Sequence, residues 1–270
     1  MQTLYNYDHL CPVCGNLLLL QYSSPISNEL AHDWNLTNQQ RRFFDFREGC
    51  NCRRCGSSVR RMNFAKVFLE HINVRYCENI QFLHEVANIR ALDRIKIAEI
   101  NNCGNLHQYF TVFPSLSYSE YGSKKSDVPS EDLMALSYQD KQFDVVLTSD
   151  VLEHVPDYHR ALSEIKRVLK DDGIFLFTVP WLNDRKTVVR ARVDDNDKIE
   201  HLKPPSYHGE YALKLEDHLV FYEFGTDFAA ELSGYFETTI YCDDGFGGSI
   251  PSVFMCRKLG CPPSPSMLLT

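Results

Sequence analysis

The stretch from Phe143 to Pro180, FDVVLTSDVLEHVPDYHRALSEIKRVLKDDGIFLFTVP, constrains the fold more than any other part of the chain. It reads as strand, acidic loop, helix, glycine turn and strand. Phe143 to Ser149 is a short apolar, β-branched run, the pattern of a buried parallel strand. Asp150, Glu153 and His154 follow at its carboxyl end, the edge where open α/β sheets bind ligands. Pro156 falls near a helix start, where its missing N–H costs nothing. Ala161, Leu162, Ile165, Val168 and Leu169 then share one apolar helical face. Gly173 is expected to end that helix, and Ile174 to Val179 to form the next strand. Two parallel strands joined by one helix make a right-handed crossover.

This segment resembles the middle of a class I S-adenosylmethionine (SAM)-dependent methyltransferase. Phe143-Asp144-Val145-Val146 matches that family's fourth strand, and Leu152-Glu153-His154-Val155 its post-strand signature. Leu169-Lys170-Asp171-Asp172-Gly173 stands where the family has a Leu-Lys/Arg-Pro-Gly-Gly turn, without the proline and first glycine. The whole chain, with its Cys11/Cys14 and Cys52/Cys55 pairs and its SDVLEHV, TVVRAR and IEHLKPPSYHG segments, is also similar to a bacterial group that joins a zinc ribbon to a type-11 methyltransferase domain. The resemblance implies an α/β, Rossmann-like class I methyltransferase sheet with helices on both faces, and SAM as cofactor.

The front of the chain carries a second motif. Cys11-Pro12-Val13-Cys14-Gly15 and Cys52-Arg53-Arg54-Cys55-Gly56 are two Cys-x-x-Cys-Gly knuckles. Each spacing lets a tight turn aim two thiolates at one ion, and four thiolates suit tetrahedral zinc. Cys11, Cys14, Cys52 and Cys55 are therefore the expected ligands of a structural Zn2+, with Cys50 as a spare. A closed four-cysteine site is structural, because catalytic zinc keeps an open position. Arg53, Arg54, Arg60 and Arg61 surround the second knuckle, either as a contact surface or as a solvated basic rim.

The expected organisation is a zinc-ribbon-like module over residues 1–62, a helical connector over 63–92, the methyltransferase domain over 93–260 and a flexible tail over 261–270. Residues 93–270 hold 28 acidic side chains against 18 basic ones. That balance disfavours a nucleic-acid substrate and favours a small molecule or a glycan. No apolar run is long enough to span a membrane, and the opening residues lack the pattern of a secretory signal. Ten cysteines without that signal fit metal or structural thiols. A cytoplasmic chain is the expectation.

Arg94 to Ile100 should be the first strand of the sheet. By the resemblance, it runs into the loop that approaches SAM, here Glu99-Ile100-Asn101-Asn102-Cys103-Gly104-Asn105, where Glu99 and Gly104 take the acidic and glycine positions. The family's other small residues are replaced, but Asn tolerates positive φ. Leu116 to Tyr121 reads as the second strand, with Glu120 at its end to accept ribose hydroxyls, as in dinucleotide folds. Asp132 is assigned the adenine amino group, with Leu133 beside the ring. Ser149, Asp150 and His154 complete the cofactor side.

Beyond the fifth strand, a strip from Pro180 to Tyr211 concentrates His, Arg, Tyr and Glu with little periodicity, which suits a substrate-side loop. His208 and His201 are the candidate general bases, His208 first because Tyr207 and Gly209 suggest a short exposed turn. Arg190 and Arg192 either hold an anionic acceptor or pair with Asp194 and Asp195. Leu219 to Phe224, a helix at Thr226 to Ser233 and strands near Phe236 to Tyr241 and Ser252 to Cys256 should complete the sheet.

The leading function is methyl transfer to a small molecule or glycan, with O-methylation favoured over N-methylation. An RNA base methyltransferase using the ribbon as a grip, and a non-catalytic methyltransferase-like interaction module, remain the alternatives.

Overall fold

The computed structural model describes residues 4–208, 218–243 and 250–259. Gly209, Glu210 and Tyr211 of the substrate strip and the tail over 261–270 lie outside them.

The chain opens with β1 (Leu4–Leu10), antiparallel to β2 (Leu17–Tyr22), which pairs with β3 (Cys50–Cys52). Two helices fill the interval, α1 (Asn28–Asp33) and α2 (Asn38–Gly49). Thr37 and Gln40 close α2 with a reciprocal capping box, which satisfies two of its free N–H groups. Helix α3 (Val59–Tyr76) starts directly after the second knuckle, capped by Ser58. Within the connector expected to be helical over 63–92, α3 stops at Tyr76. Cys77 turns into the left-handed region there, and the Asn73 amide brackets Ile80 with two hydrogen bonds of 2.8 Å. Two 3-10 turns (Leu83–Asn88, Arg90–Arg94) lead on to the sheet.

The central sheet contains β4 (Ile97–Ile100), β5 (Leu116–Ser119), β6 (Phe143–Ser149) and β7 (Leu169–Thr178), all parallel, with the short α4 (His107–Phe110) and α5 (Tyr158–Val168) between them. Two small hairpin-like pairings follow: β8 (Val188–Val189) with β11 (Tyr222–Glu223), and β9 (Ala191–Val193) with β10 (Ile199–His201). After α6 (Thr226–Leu232), β12 (Phe236–Asp243) and β13 (Ile250–Lys258) complete the sheet, with β13 antiparallel to both β7 and β12. Its order is β12-β13-β7-β6-β4-β5. The Leu219 to Phe224 run does not join it: Tyr222–Glu223 pairs with β8, and Leu219 and Phe224 make single bridges to Tyr207 and Trp181.

Alternation along the strands explains why both faces are covered. Val145, Leu147, Ile174 and Leu176 point to one core, shared with Phe64, Phe68 and Ile72 of α3 and with Cys11, Val13 and Leu20 of the knuckle module. Val146, Phe175 and Phe177 point to the other, against Leu162 and Ile165 of α5 and Phe228 of α6. This is the Rossmann-like α/β architecture expected from the sequence. Truncating Ile165, which is fully buried, removes contacts worth ~2–5 kcal/mol.

Gly173 does not end α5. Leu169 is already extended, fully buried and paired with Phe143, and a register shift between Phe143 and Val145 absorbs the added residues. A Cβ on Gly173 would stand 3.0 Å from the carbonyl oxygens of Phe143 and Asp144. The glycine serves close strand approach at this irregularity.

Candidate active site

β5 lies on one side of β4 and β6 on the other, so the strand order reverses at β4. The carboxyl edge there is the expected crevice. It divides into two poles.

At the β4–β5 pole, Asn101 leaves β4 with φ 59°, and its Oδ1 accepts a 2.8 Å bond from the Tyr121 amide. The expectation that Asn would take a positive φ in this loop holds at this residue. Glu99 is fully buried and accepts from the Cys103 amide at 2.8 Å, with His107 Nδ1 at 2.6 Å. Burial pushes its pKa up, against the lowering effect of those bonds. Glu99 thus supports the loop from behind. Gly104 has φ 66°, and a Cβ there would lie 2.5 Å from the Arg61 guanidinium. The neighbouring Asn105 amide reaches the Cys55 carbonyl at 2.9 Å and Ser57 Oγ at 2.7 Å, tying this loop to the second knuckle.

Glu120 follows β5, partly exposed. Tyr118 donates to it, Lys125 Nζ lies at 3.1 Å, and the Tyr118 bond leads in holding its pKa below the ordinary value. Buried Glu131 accepts from the Ser137 amide and hydroxyl. Asp132 accepts from the Met134 amide at 2.8 Å, and Leu133 is buried in the α5-side core. The buried anchor Glu131 was not singled out in the sequence, although its adjacency to Asp132 was a signal.

The β6–β7 pole is buried and charged. Asp150, with φ 52°, receives a bidentate Arg47 guanidinium at 2.9 and 2.8 Å and the Thr178 hydroxyl at 2.7 Å. Arg60 Nε lies 3.2 Å from Asp150 and 2.9 Å from Glu48, and another Arg60 nitrogen donates to Ser149 Oγ. Burial alone would raise the Asp150 pKa, but the two arginines and the hydrogen bonds hold it far below the usual carboxylate range. Arg60 is therefore no part of a solvated rim.

Next to it, the 3-10 turn Leu152–His154 presents Glu153 and His154. His154 Nδ1 lies 3.1 Å from the Leu219 carbonyl, which can only accept, so that nitrogen carries the proton. The opposite nitrogen lies 3.8 Å from Glu153. His208 packs against His154 at 4.8 Å and against Trp34 at 5.5 Å between ring centroids. Trp34 is held by Ser206 at 3.0 Å. Burial pushes His208 down to about 3 and His154 down to about 4, so both rings are neutral at pH 7. His208 is thus enclosed by the knuckle module, not set on an exposed turn. His201 is exposed on β10, outside this cluster. Arg190 pairs with Asp33 at 2.7 Å and with Glu223, and Arg192 with Glu200 at 2.7 Å, so neither pairs with Asp194 or Asp195.

Cys11, Cys14, Cys52 and Cys55 bring their sulfurs within 4.8 Å of one another, with Cys11 and Cys55 at 3.8 Å. A tetrahedron with Zn–S of ~2.3 Å has edges of ~3.8 Å, so the group is compatible with zinc. Gly15 and Gly56 relieve the two knuckles at φ 68° and 74°. Cys50 is buried on β3 outside the cluster.

Residues 108–177, from α4 through most of β7, match the family described as "Methyltransferase domain". An uncharacterized protein of Methanocaldococcus jannaschii is 32% identical over 140 residues, covering 42% of this chain and 55% of that protein. The glycine/sarcosine/dimethylglycine N-methyltransferase of Actinopolyspora halophila is 47% identical over 81 residues, 30% of this chain and 14% of the relative. The crystal structure of the YcgJ protein from Bacillus subtilis aligns with 58% of this chain and 68% of its own, at 16% identity and a TM-score of 0.37. The chain thus spans about half the length of the first curated relative, and its similarity to the methyltransferase family model lies within residues 108–177.

Proposed function

We propose that this protein is a SAM-dependent methyltransferase acting on a small molecule or glycan. The observation that carries the reading is a single carboxylate, Glu120, beside a left-handed turn at Asn101 and Gly104, at the point where the strand order reverses. The residues fit the cofactor. Gly104, at φ 66°, has no side chain to hold a ligand away from the loop backbone. Glu120 can accept from ribose hydroxyls, and the Asp132 loop borders the adenine position. When bound, SAM supplies an electrophilic methyl group on sulfur. Catalysis then needs the acceptor held in line at roughly 3–3.5 Å, a task of positioning. Ser149, Asp150 and His154 complete the cofactor side, and His208, packed against His154, faces the acceptor with a neutral ring that has a lone pair for a proton or a ligand.

The four knuckle cysteines hold a structural zinc. Engagement of Arg60 with Asp150 takes one arginine from the set on which RNA recognition would rely. O-methylation of a sugar is the primary expectation. Methylation of a small amine is the second reading, favoured by the local likeness to the glycine/sarcosine/dimethylglycine N-methyltransferase.

Calorimetric titration with SAM and S-adenosylhomocysteine tests the proposal. Micromolar binding supports it and licenses an acceptor screen that sets sugars against glycine and sarcosine. No binding at millimolar ligand, in folded metal-loaded protein, replaces it with a non-catalytic module.

A further inference from the structure

The β6–β7 pole contains polar atoms that the fold buries without satisfying. Glu153 is fully buried, and neither carboxylate oxygen has a hydrogen-bond partner among the described residues. His208 Nε2 is likewise buried without a partner. An isolated carboxylate removed from water without compensation carries a cost of several kcal/mol or more, so such a group is expected to have a counter-ion or a proton. Arg47 and Arg60 are nearby, but their hydrogen bonds go to Asp150, Glu48, Ser149 and Val179.

We propose that Glu153, His154 and His208 form a second metal site, separate from the cysteine cluster, for a divalent transition-metal ion. One ligand atom from each of the three lies within 4.8 Å of the others. The Leu219 carbonyl fixes the proton of His154 on Nδ1, which leaves Nε2 as a lone pair directed toward Glu153. Such an outer hydrogen bond is the usual device that orients a metal-binding imidazole. Donors ~2.1 Å from a common ion stand ~3–3.4 Å apart, so the group closes slightly on loading. Two imidazoles and one carboxylate suit Zn2+, Fe2+, Mn2+ or Co2+ better than Mg2+ or Ca2+, which prefer all-oxygen shells. Three protein ligands leave a position for water or for an acceptor atom. Only that last role rests on the methyltransferase reading: there, the ion anchors an oxygen or nitrogen of the acceptor, and His208 serves as ligand in place of proton acceptor.

Metal content and X-ray absorption of the full chain, loaded with Zn2+ or Co2+, test the site. Two ions per chain are expected, with a mixed sulfur and nitrogen/oxygen first shell. Glu153→Gln and His208→Asn should each remove one equivalent and leave an all-sulfur shell with the cobalt–thiolate absorption intact. That retained band also reports that the knuckle module is folded. One ion per chain in the unsubstituted protein, ligated by sulfur alone, overturns the proposal. So does retention of both ions in the two variants. SAM titration of the same samples keeps the readings apart: cofactor binding with a single ion removes only the second site. Two ions without cofactor binding keep the site and remove the methyltransferase reading.

Discussion

The two poles of the carboxyl edge are built on opposite principles. At the β4–β5 pole, Glu99 and Glu120 each find nearby partners, and the exposed groups form pairs of short sequence separation such as Glu120 with Lys125. At the β6–β7 pole, charge is taken out of water and neutralised by side chains from far along the sequence, Arg47 and Arg60 upon Asp150. The first pole is partly exposed, with Glu120 and Lys125 at the surface. The second is an interior polar cluster that the knuckle module must complete. One chain therefore pairs its exposed charges locally at the first pole and its buried charges over long range at the second.

The largest effect that would break this comparison is loss of the module itself. Stripping the metal with a chelator, or replacing Cys52 and Cys55 by Ser, should cost several kcal/mol of stability, bounded by the ~10–16 kcal/mol of structural zinc. Denaturation with and without chelator measures it, and identical midpoints would show that the module stands without metal.

Arg47→Ala comes next, with an expected loss of ~3–5 kcal/mol from an uncompensated buried carboxylate. The sign with pH follows from the depressed Asp150 pKa. Its contribution is complete above the unfolded carboxylate value of about 4 and falls away as the solution is acidified toward the folded value. Arg47→Ala should flatten that acid limb in urea titrations. An unchanged limb would mean that the β6–β7 pole is no more demanding than the exposed one.

Glu120→Ala sharpens the contrast from the other side. Removing a charged acceptor should weaken SAM by ~1.5–3 kcal/mol, about 10–100-fold, with little change in unfolding. Calorimetry against a parallel melt separates the two quantities, and intact affinity would remove Glu120 from the site. Smallest of all, Lys125→Ala should shift stability by no more than ~1 kcal/mol, because its bridge to Glu120 is solvent-screened. A larger drop in chemical denaturation would mean that the β4–β5 pole also relies on fixed charge.

The parts legible in sequence were those with a local physical signature. The apolar run Phe143 to Ser149 coincides with β6 as read, and the spacing of Ala161, Leu162, Ile165 and Val168 marked the buried face of α5. The two knuckles bring the four expected cysteines together, because their spacing is itself the geometry. What escaped depends on distant pairing. His208 reads as a surface turn when only Tyr207 and Gly209 are considered, since Trp34 and His154 enclose it from elsewhere in the chain. Arg60 reads as a rim or contact cation and Arg190 as an acceptor anchor or a partner of Asp194 and Asp195 until Asp150, Asp33 and Glu223 arrive from far along the sequence. Gly173 misled for a related reason: a glycine after a helix suggests a cap, whereas the close approach to Phe143 and Asp144 is invisible without the neighbouring strand.

The Arg47–Asp150 pair also bears on how such a chain can be inherited. A recombination event between the two knuckles and the sheet would separate the carboxylate from the guanidinium that neutralises it. The product would carry a carboxylate buried with only part of its compensation, and selection would act on it at once. The front module and the sheet are therefore expected to travel together through gene duplication and exchange, and a descendant that has shed the knuckles should carry a neutral side chain where Asp150 now stands.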